Sequence, residues 1–149
     1  MTQATSGPAT GANASAPPPL GAVHHLSFSV TNLDFSVEWY QQLFGLIKIM
    51  DEEHEGGKAV VLMHPSGQLF IGLHAHQANS GEQFQETHTG LDHVSIAVPS
   101  RSDLDNWETR LRDLNVKYSP IYERSYGWLL VFRDPDNIQL ELIAPKPMS

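Results

Sequence analysis

The feature that most constrains this chain is an internal repeat. His25-Leu26-Ser27-Phe28-Ser29-Val30 and His93-Val94-Ser95-Ile96-Ala97-Val98 stand 68 residues apart, and in both the odd positions are polar or small while the even ones are apolar. That period-2 pattern predicts a strand with one core face and one polar face. A helical pattern follows each strand: Val37, Trp39, Tyr40, Leu43 and Phe44 in the first copy, Leu104, Trp107, Leu111 and Leu114 in the second. Asp34 or Ser36, and Ser102 or Asp103, are the expected N-caps. Each helix runs into Gly45-Leu46 or Asn115-Val116, then into further strands with a Pro-containing turn before the last one. The closing strands are expected over 68–74 and 138–143. Both copies therefore read β-α-β-β-β, and two copies account for nearly all of the chain.

The resulting layout is a tail over 1–20, a first module over 21–75, a linker over 76–90, a second module over 91–145 and a short tail over 146–149. The first 20 residues carry no charged side chain and four prolines, which predicts disorder and predicts that deleting them leaves stability unchanged. The acidic stretch Asp51 to Gly57 reads as a mobile loop. No basic n-region with an apolar run opens the chain and no stretch reaches 18 apolar residues, so a cytoplasmic location without membrane contact is the expectation.

Composition narrows the chemistry. With no Cys, thiolate metal sites, iron–sulfur clusters, disulfides and Cys nucleophiles are excluded, while eight His remain. Nine Lys and Arg against 17 Asp and Glu give a formal charge of −8, which disfavours nucleic acid as a partner. On the non-core faces, His25 and His93 occupy the same place in the two copies, and Glu141 lies among the apolar residues of the last strand. A carboxylate there is costly unless it is paired or bound to a metal. The other His at 24, 54, 64, 76 and 88 show no such correspondence and read as surface or turn residues. His74 shares the face of Gly72 and is the leading base.

Three segments, Leu91 to Val98, Trp39 to Leu46 and Phe132 to Leu142 with its Asp134-Pro135-Asp136-Asn137 turn, resemble the vicinal oxygen chelate superfamily. That group includes glyoxalase I, bleomycin-resistance proteins, extradiol dioxygenases, fosfomycin-resistance enzymes and methylmalonyl-CoA epimerase. The resemblance covers about residues 22–145. It implies an α+β fold of paired βαβββ modules forming a curved, incompletely closed eight-stranded barrel around a divalent cation. The ligand positions of the family map to His25, Gly72, His93 and Glu141. Bacterial-type glyoxalase I has Glu where this chain has Gly72, and the epimerase has Gln. The implied set is therefore two His and one carboxylate, for Fe, Mn, Zn, Ni or Co, with open positions for a chelating substrate. The dioxygenase Tyr falls on Val131, and the Ser and Tyr that contact phosphonate in fosfomycin enzymes fall on Leu129 and Val131. Arg124 and Tyr126 lie in the segment that borders the pocket in relatives and are the substrate-binding residues implied; Trp128 reads as core. The expected function is metal-dependent chemistry, dioxygenase, lyase or isomerase, on a small oxygen-rich metabolite. A metal-free drug-binding protein resembling bleomycin-resistance proteins is the alternative. Two open-edged modules and the family resemblance predict a homodimer, with modules paired within a chain or swapped between chains.

Overall fold

The computed structural model describes residues 16–147; most of the tail expected over 1–20 lies outside them. Ten elements follow the predicted order twice: β1 (Leu26–Ser29), α1 (Leu33–Phe44), β2 (Ile47–His54), β3 (Gly57–Met63) and β4 (Phe70–His76), then β5 (Val94–Ala97), α2 (Arg101–Asp113), β6 (Tyr122–Arg124), β7 (Gly127–Arg133) and β8 (Gln139–Pro145). The fold is α+β, but the eight strands form two four-stranded sheets, ordered β1-β4-β3-β2 and β5-β8-β7-β6, that do not close into a barrel. In each sheet the opening strand pairs parallel to the closing one and the remaining pairs are antiparallel. Consequently β1 and β5 are both edge strands.

Local chemistry sets the helix ends. α1 is capped by Asn32, whose side-chain oxygen accepts from Phe35 N at 3.1 Å, and α2 by Ser100, which accepts from Asp103 N. Both caps lie two or more residues before the expected ones, because Asn32 and Ser100 are extended and Asp34 and Asp103 already sit in the first helical turn, where a carboxylate complements the dipole. The chain leaves the helices through Gly45 (φ 68°) and Asn115 (φ 56°), both left-handed, as the sequence pairs predict. The acidic stretch departs from expectation. It is the end of strand β2 and a tight turn at Glu55-Gly56, with Gly56 at φ 79°.

The two modules share a single core. Both helices lie in it with the inward rows Phe28, Leu62, Ile71 and Leu73 of the first sheet and Leu130, Phe132, Leu140 and Leu142 of the second. Phe44 meets Trp107 and Phe132 with ring centroids 5.7 and 6.2 Å apart, and Arg110 donates to the carbonyls of Leu43 and Gln42 at the end of α1. A polar clamp ties the modules at their turn. Buried Tyr40 donates to Asp134 Oδ2 at 2.9 Å, and Thr31 donates through its hydroxyl and its backbone N–H to Asp136. Asp134 Oδ1 also accepts from the backbone of Asp136 and Ile138. The linker is strapped onto the same turn by Phe84 N to Asp136 O and by a two-pronged Arg133–Glu86 pair at 2.9 Å.

Burial holds the Asp134 carboxyl up at about 6, against hydrogen bonds from Ile138 and Tyr40 that favour its ionised form. An acid whose folded value is raised binds its proton more tightly in the native state, so its contribution is most favourable at low pH. It is lost as pH rises from about 4 through about 6. Comparing wild type with Asp134→Asn by chemical denaturation should show wild type losing about 2–3 kcal/mol relative to the variant between pH 4 and pH 7. A difference that stays flat across that window would contradict the burial of a titrating carboxyl here.

Candidate metal centre

Because the inward rows are consumed by the core, the alternate residues of every strand face outward. On the first sheet these rows run Met50–Val61–Gly72–Ser27 and Glu52–Ala59–His74–Ser29, with His25 one step before Ser27 on β1. On the second sheet Ser95–Glu141–Val131 form one row and Ile143–Leu129–Tyr122 the next, with His93 one step before Ser95. The repeat therefore puts His25 diagonally from Gly72 and His93 diagonally from Glu141. The two pairs are the same place in two modules.

Glu141 is 9% exposed. One carboxylate oxygen accepts from Ser95 Oγ at 2.6 Å, and among the described residues no Lys, Arg or His forms an ion pair with it. A nearly buried anion held by one hydroxyl calls for a further positive partner. His93 is set up to help supply one. Its Nδ1 lies 2.6 Å from Asp92 Oδ1, which fixes the proton on Nδ1 and leaves Nε2 as a lone pair, the outer-shell arrangement that orients metal-binding imidazoles. His25 Nδ1 is 2.9 Å from His24 Nδ1, and the His24 ring stacks on Phe70. These donors fit a divalent cation with open coordination positions.

The register sets His93 one alternation step from Glu141, which stands opposite Ser95, while His25 lies ahead of β1 in the other sheet. Among the described residues no three His, Asp or Glu side chains of one chain converge to hold a metal ion. The charges that act on His74 come from the first sheet, those that act on Tyr122 from the second. His25 lines an open cavity of about 660 Å³ between the β1 and β5 segments, which Val94 and Ser95 also line.

Gly72 faces outward, as its register with Ser27 predicts. A Cβ there would come within 2.7 Å of Ser27 Oγ and 3.3 Å of His74 Nε2. The imidazole two residues along thus leans over the place where a side chain would rise. Burial is the main cause that holds His74 below the usual His range, and the neighbouring His54 and His76 act in the same direction. That shift favours the unprotonated ring that a base requires. Arg124 and Tyr126 are exposed at the β6–β7 hairpin, Arg124 lying over the Tyr122 ring at 4.7 Å. Trp128 packs partly buried against the core, as expected. Sequence reasoning passed over Tyr122, whose phenol is pushed up by burial and next by Glu141. It also passed over His54 and His76, which gather beside His74. Cross-strand register, absent from a single sequence, is what reveals all three.

Comparison with known proteins agrees with this geometry. A sequence model of the Glyoxalase/Bleomycin resistance protein/Dioxygenase superfamily matches residues 22–142. MhqA of Bacillus subtilis, named a ring-cleaving dioxygenase, is 28% identical over 106 residues, 70% of this chain but only 34% of its own length, so the chain spans about a third of that relative. A metallothiol transferase, FosB of Bacillus licheniformis, is 26% identical over 126 residues, covering 80% of this chain and 73% of FosB. Among solved structures, a glyoxylase/bleomycin resistance protein/dioxygenase domain from Frankia superposes with a TM-score of 0.80 at 35% identity, covering 86% of this chain and all of that one. The fosfomycin resistance protein FosX of Listeria monocytogenes, solved with Mn(II), shares the fold at a TM-score of 0.66 and 21% identity over 87% of this chain and 94% of FosX. The repeat, the sheet order and the match over 22–142 together make the chain a member of the Glyoxalase/Bleomycin resistance protein/Dioxygenase superfamily.

Proposed function

We propose that the protein is a metal-dependent enzyme that acts on a small, oxygen-rich metabolite, with the cation held by His25, His93 and Glu141. The observation that carries this reading is the nearly buried, hydroxyl-held Glu141 beside an Asp92-oriented His93. Relatives point the same way: FosB is named a metallothiol transferase and FosX was solved with Mn(II). A cation bound there would supply Lewis-acid activation of vicinal substrate oxygens. The remaining work falls to the chain. His74, leaning over Gly72 with burial lowering its pKa, would take a proton from the substrate. Val131 and Leu129 flank Glu141 with apolar surface that excludes water and packs the substrate body. Arg124 and Tyr126, exposed on the β6–β7 hairpin, would contact the polar end of the substrate. Val131 and Leu129 carry no hydroxyl with which to hold a phosphonate, and Val131 also stands where ring-cleaving dioxygenases carry a Tyr, so neither of those specific activities carries over at these positions.

The assembly follows from the same separation. His25 belongs to one sheet and His93 with Glu141 to the other, and β1 and β5 are unpaired edges. A homodimer in which the first module of one copy meets the second module of another unites the three ligands and covers both edges.

Reconstituted with Mn²⁺, wild type should carry about one ion per chain by elemental analysis, and His93→Ala should carry none. Retention of the ion through single Ala substitution of each of His25, His93 and Glu141 would sink the ligand assignment, and a protein that takes up no metal would support the drug-binding alternative. The dimer makes a sharper prediction. When His25→Ala and His93→Ala chains carry different tags and the mixed dimer is isolated, one site is intact and one ion returns. Modules paired within each chain would instead leave both sites broken and the mixed dimer empty.

Gly72→Glu would add a fourth protein ligand only after Ser27 Oγ swings away from the new Cβ. The expected outcome is tighter metal retention against a chelator together with a lower melting temperature. Retention no better than wild type would mean that residue 72 does not face the cation.

A further inference from the structure

The first sheet holds a second group of donors that the centre above does not use as ligands. His54 at the end of β2, and His74 and His76 on β4, have ring centroids 5.5 Å (His54–His74), 5.2 Å (His54–His76) and 6.0 Å (His74–His76) apart. Three points at those separations lie on a circle of radius about 3.2 Å. An imidazole bound at the ordinary metal–nitrogen distance of about 2.0–2.1 Å places its ring centroid about 3.2 Å from the metal. The spacing is that of three imidazoles around one ion.

Two further observations point to a ligand. His54 Nε2 is closed off from solvent and has no hydrogen-bond partner, while its Nδ1 lies 3.2 Å from the Glu55 carbonyl, which fixes the proton on Nδ1 and leaves Nε2 a free lone pair. Gly57 stands between His54 and His76 in the cross-strand row, and a Cβ on it would come within 2.7 Å of His54 Cε1. The glycine is what allows the ring to lean across β3. The group opens onto a cleft of about 500 Å³ lined by His54, His76 and Glu53, and Glu52 lies beside His74 on the same face.

We propose that His54, His74 and His76 form a second metal site, specific for a cation that prefers nitrogen, such as Zn²⁺, Ni²⁺ or Cu²⁺. All-imidazole donors select those ions, whereas the carboxylate-containing centre also accepts Mn²⁺ and Fe²⁺. Among the described residues no three side chains, these three imidazoles included, already stand as a metal-ligating group. Binding therefore requires rotation about the broad χ2 torsion of His, with the strands left in place. Since His74 is also the base proposed above, the two roles belong to different metal loadings: an ion at the imidazole cluster takes His74 out of proton transfer.

The test uses Zn²⁺ alone, added to chelator-stripped full-length protein and counted by equilibrium dialysis with elemental analysis. His93→Ala, which lacks the first centre, should still bind about one Zn²⁺ per chain. The double variant His54→Ala/His76→Ala should bind one fewer than wild type. If that variant misfolds by circular dichroism, His54→Gln and His76→Gln singly should each lose the same equivalent. Cu²⁺-loaded His93→Ala should show nitrogen hyperfine splitting from three imidazoles, reduced to two in His93→Ala/His76→Gln. The inference is overturned if His93→Ala binds no Zn²⁺, or if substitution at 54 and 76 leaves the stoichiometry unchanged. A single equivalent in wild type that is lost at 54 and 76 and kept in His93→Ala would support the cluster and refute the first centre.

Discussion

The contact on which the rest depends is the clamp between Tyr40 and Thr31 of the first module and Asp134 and Asp136 of the second. It pins the start of α1 to the turn before β8, and with Phe44 wedged against Trp107 and Phe132 it makes one core out of two modules. Either module alone would leave one face of its sheet and one stripe of its helix uncovered, and a unit of about 55 residues is marginal as a single domain. Fusing the inward faces solves that problem. It also dictates that every polar residue of the strand alternation points away from the core, which is why His25, Gly72, His74, His93 and Glu141 all end on outward faces.

Once the modules are fused in this way, duplication becomes chemistry. The two copies present equivalent diagonals, His25 with Gly72 and His93 with Glu141, and they have diverged at one member. In the second module the position holds a carboxylate clasped by Ser95. In the first, the glycine leaves its space to His74, whose Nε2 sits 3.3 Å from where a Cβ would be. One diagonal has become an anion that needs a cation. The other makes room for an imidazole on the first sheet whose burial lowers its pKa. Under the proposed function, the same fold position would serve as a ligand in one module and make room for a base in the other, the division of labour that metal-assisted proton transfer requires.

Much of this was legible before any coordinates, and the legible parts share a cause. Strands β1, β5 and β8 are half-buried, so their alternation carries the signal, and the helices end on Gly45 and Asn115, residues with a physical reason to adopt positive φ. The stretch Asp51 to Gly57 reads as a loop from the sequence because the end of β2 within it lies on an edge strand whose residues are nearly all exposed, so neither face imposes a hydrophobic period on Asp51-Glu52-Glu53. The caps shifted to Asn32 and Ser100 for a related reason: several polar residues in a row can each cap a helix, and tertiary contact chooses among them. The sequence motif located His93 and Glu141. It carried no trace of the His54–Gly57–His76 row, since that row exists only through the register of three strands.

The two donor groups differ in a way that bears on how an acidic protein handles cations. A net charge of −8 raises the local concentration of any divalent ion without choosing among them. Selection must come from donor type. The proposed His25, His93 and Glu141 set contains a carboxylate and would suit hard or borderline ions, and in the proposed dimer its full assembly would wait on a second copy of the chain. The His54, His74 and His76 set has nitrogen donors alone, lies within one sheet and would compete for softer ions at the concentration of the monomer. Since His74 belongs to the second set and leans toward the first, the identity of the available metal would decide whether that imidazole is a base or a ligand. The lack of a side chain at Gly72 and at Gly57 makes both positions possible, because each glycine opens the gap into which a neighbouring imidazole leans.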